Sequence, residues 1–220
     1  SDWQGKWIGK EPKDVYKNPN SPQRQLEGAS WIWFDEGDPA VKAPAETRWF
    51  KSAVTLPANR KLKTAWYVFG ADNSFEMTVN GHYAGRGRSL ALPAVIDIAP
   101  WLKAGENTIS VKATNSKEDA AGAIGALKVE FSTGAPLEFK TGAGWQASKT
   151  ETGDYTAVKV LGPFGMQPWG EVGVKEEQAL PARYLRKEFK VAAGLKRATV
   201  YVSGLGLGEL YVNGARPDND

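Results

Sequence analysis

Asp72 and Asn73 put a carboxylate and a carboxamide side by side on a short loop, between Gly70-Ala71 and the run 74–79. The surrounding segment, residues 64–81 (TAWYVFGADNSFEMTVNG), returns without a gap at residues 197–214 (RATVYVSGLGLGELYVNG). The copies share Ala65/Ala198, Glu76/Glu209, Val79/Val212, Asn80/Asn213 and Gly81/Gly214, but Leu205-Gly206 stands where the first has Asp72-Asn73. One scaffold thus occurs with a polar loop and without one. The pair offers oxygen donors to a ligand; the competing reading is a turn, which Asx side chains often make for themselves. Other chemistry is thin. His82, the chain's one His, follows an Asn-Gly turn, and with no Cys it cannot build a zinc site. Gly85, Gly87 and the glycines of 204–208 lack the following helix and the Lys-Ser/Thr of a phosphate loop.

The elements that must hold this pair read as strands. Phe75, Met77 and Val79 alternate with Glu76 and Thr78, the period of a half-buried strand, and 65–69 is β-branched and aromatic. The two runs read as a hairpin joined by the Asp-Asn loop, and Asn80-Gly81 tolerates the positive φ of a type I′ turn. Further strands are expected at 30–34 (SWIWF), 48–56, 94–98, 108–113, 123–131, 139–141, 145–148 and 157–161, with 85–88 a Gly/Arg-rich loop. No long amphipathic helix intervenes, so short strands between turn signals predict an antiparallel sandwich or barrel.

Composition narrows the function. Lys and Arg exceed Asp and Glu by three, without a basic run, which argues against nucleic acid. No apolar stretch approaches the ~18 residues of a membrane span. The boundaries expected are a linker or anchor at 1–29, a sandwich at 30–170, a linker at 171–181 and the start of a second sandwich at 182–220, where ARYLRKEFKV matches RWFKSAVTL. A chain that starts with Ser and stops a third of the way into its second unit reads as a processed or excised fragment.

WIWF, RWFKSAVTL, ADNSFEMTVNG, DIAPWLKAGENTISVKATN, AGAIGALKVEF, GWQAS, GPFGMQPWG and then RYLRKEFKV with YVSGLGLGELYVNG follow one another in an order that resembles the N-terminal region of bacterial α-L-rhamnosidases. These are inverting glycoside hydrolases with β-sandwich domains ahead of an α/α-barrel. The resemblance covers residues 31–220 and implies a galactose-binding-like jelly-roll sandwich followed by an incomplete second one. It implies a non-catalytic module that binds L-rhamnose with the help of calcium, contacted by Asp72 and Asn73. The catalytic carboxylates would lie on a barrel to which nothing here corresponds, so the chain by itself is expected to be inactive. Independently, its Glu and Asp are scattered over loops and solvent faces, with no pair arguable to the ~5–9 Å that glycosidases use.

Calcium takes roughly six to eight hard oxygen ligands. Asp72 would supply charge and Asn73 a carbonyl oxygen; the family position adds the backbone carbonyls of Asn115 and Ala120, and Glu46 is a further candidate. For the sugar, Trp31, Trp33, Trp66 and Trp101 are possible platforms against a default of core packing. Trp101 and Arg86 are named as ligand contacts, and Arg88 shares the loop of Arg86, whose alternative is a solvated face. The expected partners are a rhamnose-containing glycan and the parent's catalytic domain, in the periplasm or outside the cell. The rival reading is a spacer that packs on the barrel and binds nothing.

Overall fold

Alternation along the strands is what closes the molecule. In the strand Ser74–Val79, Phe75, Met77 and Val79 are buried while Glu76 is exposed. In Gly105–Thr114 the buried set is Asn107, Ile109, Val111 and Ala113. These two strands are neighbours in one sheet, and its apolar face pressed against that of the other sheet excludes water from a shared layer, the main stabilising term in a sandwich. The computed structural model describes residues 21–174, 185–191, 193–202 and 209–217. The chain divides into two units; residues 21–174 are the described part of the larger one.

In chain order its strands are β1 (Ser30–Trp33), β2 (Thr47–Leu56), β3 (Leu62–Ala71), β4 (Ser74–Val79), β5 (His82–Gly87), β6 (Ala94–Asp97), β7 (Gly105–Thr114), β8 (Ala123–Phe131), β9 (Leu137–Lys140), β10 (Gln146–Ser148), β11 (Thr156–Ala157) and β12 (Lys159–Pro163). They form two antiparallel sheets, one ordered β12-β1-β8-β3-β6 with β9 beside β8, the other β11-β10-β2-β7-β4-β5. The all-β jelly-roll sandwich expected from the sequence is the fold of this unit.

Three expectations change. First, β3 and β4 are not a hairpin: they lie in different sheets, and residues 72–73 form the corner between them. β4 instead pairs with β5, through Phe75↔Gly87 to Val79↔His82, around the Asn80-Gly81 turn (φ 50° and 81°). Second, the Gly/Arg-rich stretch read as a loop is β5 itself; Gly87 is required because a Cβ there would sit 2.3 Å from Cε1 of Phe75. Third, segments read as linkers are packed. Residues 22–26 form a 3₁₀ turn, and Leu26, Ala29, Trp31, Val68, Ile124, Ala126 and Val172 make a second apolar cluster. Tyr67–Ala71 in β3 and Ala123–Leu127 in β8 are accordingly buried throughout rather than alternately.

In the smaller unit, residues 185–191, part of the expected strand 182–191, carry no strand. Asn213 and Gly214 adopt φ 49° and 81°, the same turn as Asn80 and Gly81, closed by a Val212↔Ala215 bridge. Leu205-Gly206 lies outside the described residues.

Candidate functional site

The corner between β3 and β4 is held by backbone bonds from both sides. The Asp72 N–H donates to the Gly122 carbonyl at 2.8 Å and the Asn73 N–H to the Thr114 carbonyl at 2.8 Å. The peptide bond between the two residues is cis. Both side chains are half-buried, so their oxygens are neither closed off nor freely solvated.

Each oxygen of the pair has a defined neighbour. Oδ2 of Asp72 accepts from Nε1 of Trp169 at 2.9 Å, and Oδ1 accepts from Nδ2 of Asn73 at 2.8 Å. Oδ1 of Asn73 accepts from the Ser116 N–H and hydroxyl, both at 2.7 Å. Trp169 is in turn fixed by stacking on buried Trp31, with centroids 4.2 Å apart and planes at 23°. A Cβ on Gly122 would come within 2.7 Å of Trp169 and 3.0 Å of Trp31, so only glycine lets the indole reach Asp72.

The loop 115–122 that faces the pair is itself clamped. The Ala43 N–H donates to the Asp119 carbonyl at 2.7 Å, the Ala121 N–H to the Pro39 carbonyl at 2.8 Å, and the Asn115 N–H to the Glu46 carbonyl at 3.0 Å. Nδ2 of Asn115 donates to the carbonyls of Ala43 and Pro44 at 3.3 and 3.1 Å, while its Oδ1 is buried without a hydrogen-bond partner among the described residues. The 34–46 segment that carries these acceptors is tied down by Arg48, only 2% exposed. Its guanidinium forks onto Glu36 (Nε–Oε1 2.8 Å, Nη2–Oε2 2.6 Å) and reaches Glu46 at 2.8 Å. Burial opposes the Arg48 charge, and the two carboxylates more than offset it, raising its pKa.

Two carboxylates act on one another at the corner. Burial raises the Asp72 carboxyl above its ordinary value; the Trp169 bond opposes that, and the nearby Asp119 carboxylate adds to it. Among the described residues no three His, Cys, Asp or Glu side chains cluster as a metal site. A cation here would therefore draw further ligands from amide and backbone oxygens, water or a ligand.

The structure brings Asp72, Asn73 and the loop of Asn115 and Ala120 together. Glu46 touches that loop only through its carbonyl, which accepts from the Asn115 N–H, while its carboxylate is bound to Arg48. Trp101 and Arg86 are separated from the corner. Trp101 stacks on His82 (4.9 Å, 14°) and accepts from Asn80 at the far end of β4, about 20 Å away at ~3.3 Å per residue. Arg86 faces Glu76 in register, midway along β4. The Asn-Gly turn and the Asp-Asn corner lie at opposite ends of β4. Trp31 and Trp33 are core; Trp66 is exposed. Trp169 and Asp119 escaped the sequence reading. The Trp169–Asp72 bond spans 97 positions and leaves no spacing to read; the Asp in an otherwise polar 115–122 loop was the one available hint.

No family model matches the chain. Over its whole length it is 34% identical to the N-terminal region of an α-L-rhamnosidase of Streptomyces avermitilis and spans 22% of that protein. The crystal structure of S. avermitilis α-L-rhamnosidase complexed with L-rhamnose superposes with a TM-score of 0.63, over 78% of this chain and 17% of that one. A lectin from Pleurotus ostreatus in complex with GalNAc is 28% identical with a TM-score of 0.61, over 73% of this chain and 48% of that one. A β-galactosidase of Vibrio vulnificus is 33% identical over 79 residues, 36% of this chain and 8% of that protein.

Proposed function

From the premise that this chain is the counterpart of the N-terminal region of an α-L-rhamnosidase, we propose that it is a non-catalytic carbohydrate-binding region whose corner site takes L-rhamnose. The observation that carries this reading is the convergence of Asp72, Asn73, Asp119 and the 115–122 loop at one half-open corner. The likeness to a lectin supports it at the level of the fold.

A hard divalent cation such as calcium suits the donors. They are all oxygen, the Asp119 carboxylate lies close enough to act on Asp72, and the Asn115 Oδ1 on the same loop is buried and unspent among the described residues. Asp72 and Asn73 with carbonyls of the 115–122 loop, Ala120 among them, would hold it, and its remaining coordination positions would be offered to sugar hydroxyls. The chain's own contribution is orientation: Trp169 fixes the Asp72 carboxylate and the Arg48 clamp fixes the facing loop. Neutral sugars bury little area and exchange one set of hydrogen bonds for another, so affinity per site is expected near ~0.1–1 mM. The parent's catalytic domain would be its covalent partner, outside the cytoplasm.

The second reading, a spacer that binds nothing, draws on the bonds that Asp72 and Asn73 already make to each other, to Trp169 and to Ser116. Calorimetric titration with L-rhamnose, once with calcium and once with a chelator, separates the two. Heat with calcium alone supports the proposal, and no heat in either condition leaves the spacer.

A further inference from the structure

On the outer face of the β12-β1-β8-β3-β6 sheet, on the other side from the core, lies a concavity of ≈ 440 Å³. Its lining includes Trp66 of β3, 44% exposed, and Val95 of β6, 41% exposed. The register sets Lys128 opposite Trp66 and Glu130 opposite Thr64, so donors and acceptors flank the indole along β8. Gln25 closes one wall: its amide donates to the Trp66 and Ala126 carbonyls at 3.0 and 2.6 Å, pinning the 3₁₀ turn across both strands. The geometry points to a second carbohydrate-binding surface here, in which a neutral pyranose stacks on Trp66 and hydrogen-bonds to the Lys128–Glu130 pair and Gln25.

Charge selects the class of ligand. Lys128 and Glu130 are 3.0 Å apart and Thr64 donates to Glu130 at 3.2 Å, so the two charged residues that line the concavity pair off with each other. Lys128, then Thr64, holds the Glu130 carboxyl below its ordinary value, in keeping with that pairing. A charged ligand finds no unpaired counter-charge among these lining residues. An apolar partner would strip water from the ion pair without replacing its hydrogen bonds, a net cost. A sugar ring satisfies both halves, with a C–H face for the indole and hydroxyls for the polar rim. Trp66 stands six residues before Asp72 on β3, about 20 Å along an extended strand, and so outside the corner site.

The test is 19F NMR of the full chain labelled with 5-fluorotryptophan, the Trp66 resonance being assigned by Trp66→Phe. The Asp72→Ala variant with chelator silences the corner, which keeps this inference separate from the function proposed above. Lactose and methyl α-L-rhamnoside, each titrated in that background, are expected to move the Trp66 resonance saturably with a midpoint of ~1–10 mM. The Lys128→Met variant, which keeps the indole and removes a donor, should weaken that midpoint several-fold with an unchanged Tm. No saturable shift with either sugar overturns the inference. So does an equal shift with sorbitol, which has the hydroxyls without the ring.

Discussion

The Asp72 carboxylate accepts from Trp169 on one oxygen and from Asn73 on the other, and still has the Asp119 charge close by. Burial is the largest influence on it and disfavours the ionised form, so the folded protein holds its proton more tightly than the unfolded chain does. The sign follows from linkage. A carboxyl raised in the folded state contributes stability below its unfolded pKa and loses it as pH rises through the folded value. In chelator, Asp72→Asn should therefore be as stable as the wild type in acid and more stable at neutral pH, a gap that Tm measured against pH will show. The same variant should lose calcium-dependent rhamnose binding, which is the usual relation between a functional charge and stability. A neutral-pH Tm well below that of the wild type would instead make Asp72 a turn-former. At Arg48 it is the ionised form that the fold favours. Arg48→Met leaves Glu36, 14% exposed, without its fork, and should cost about 3 kcal/mol in urea denaturation, partly restored by adding Glu36→Gln.

Two elements cooperate to aim these groups: the segment after β12, which brings Trp169, and the loop 115–122, which brings Asp119 and Ser116. Gly122 joins them, because its missing side chain is the space that Trp169 occupies between Trp31 and the corner. Gly122→Ala should displace the indole, release Asp72 and weaken rhamnose binding by at least ~10-fold, since 1.4 kcal/mol is a factor of ten. Trp169→Phe keeps the stacking and removes only the N–H donor; it should weaken binding with a smaller loss of Tm than Gly122→Ala. Equal Tm losses in the two would mean that packing, not the hydrogen bond, is what the indole supplies. β5 shows the same logic in a strand: a stretch of His, Tyr, Gly and Arg pairs with β4 because Gly87 makes room for Phe75, although its composition carries little β-propensity.

For the whole molecule, the Glu36 and Glu46 carboxylates, among the described residues, are engaged by Arg48. The chain alone is accordingly expected to leave an aryl α-L-rhamnoside uncleaved, and turnover above an enzyme-free blank would move the chemistry onto these residues. Among the described residues no helix is long and apolar enough to cross a membrane. Much of this was legible in advance. Alternation in β4 and β7, the Asn-Gly turn and the contrast between Asp72-Asn73 and Leu205-Gly206 are local patterns, and local patterns record which side of a strand meets the core. They determined a β-sandwich and drew attention to the pair of oxygen-bearing side chains that the fold places at a corner between its sheets. Which sheet each strand joins was decided only on folding: β3 and β4 are adjacent in the chain and separated in space, so the Asp-Asn loop is a corner and Trp101 lies at the wrong end. The same holds for Trp169, whose hydrogen bond to Asp72 exists because the sandwich closes, and closure between distant segments leaves no period in the chain that makes it.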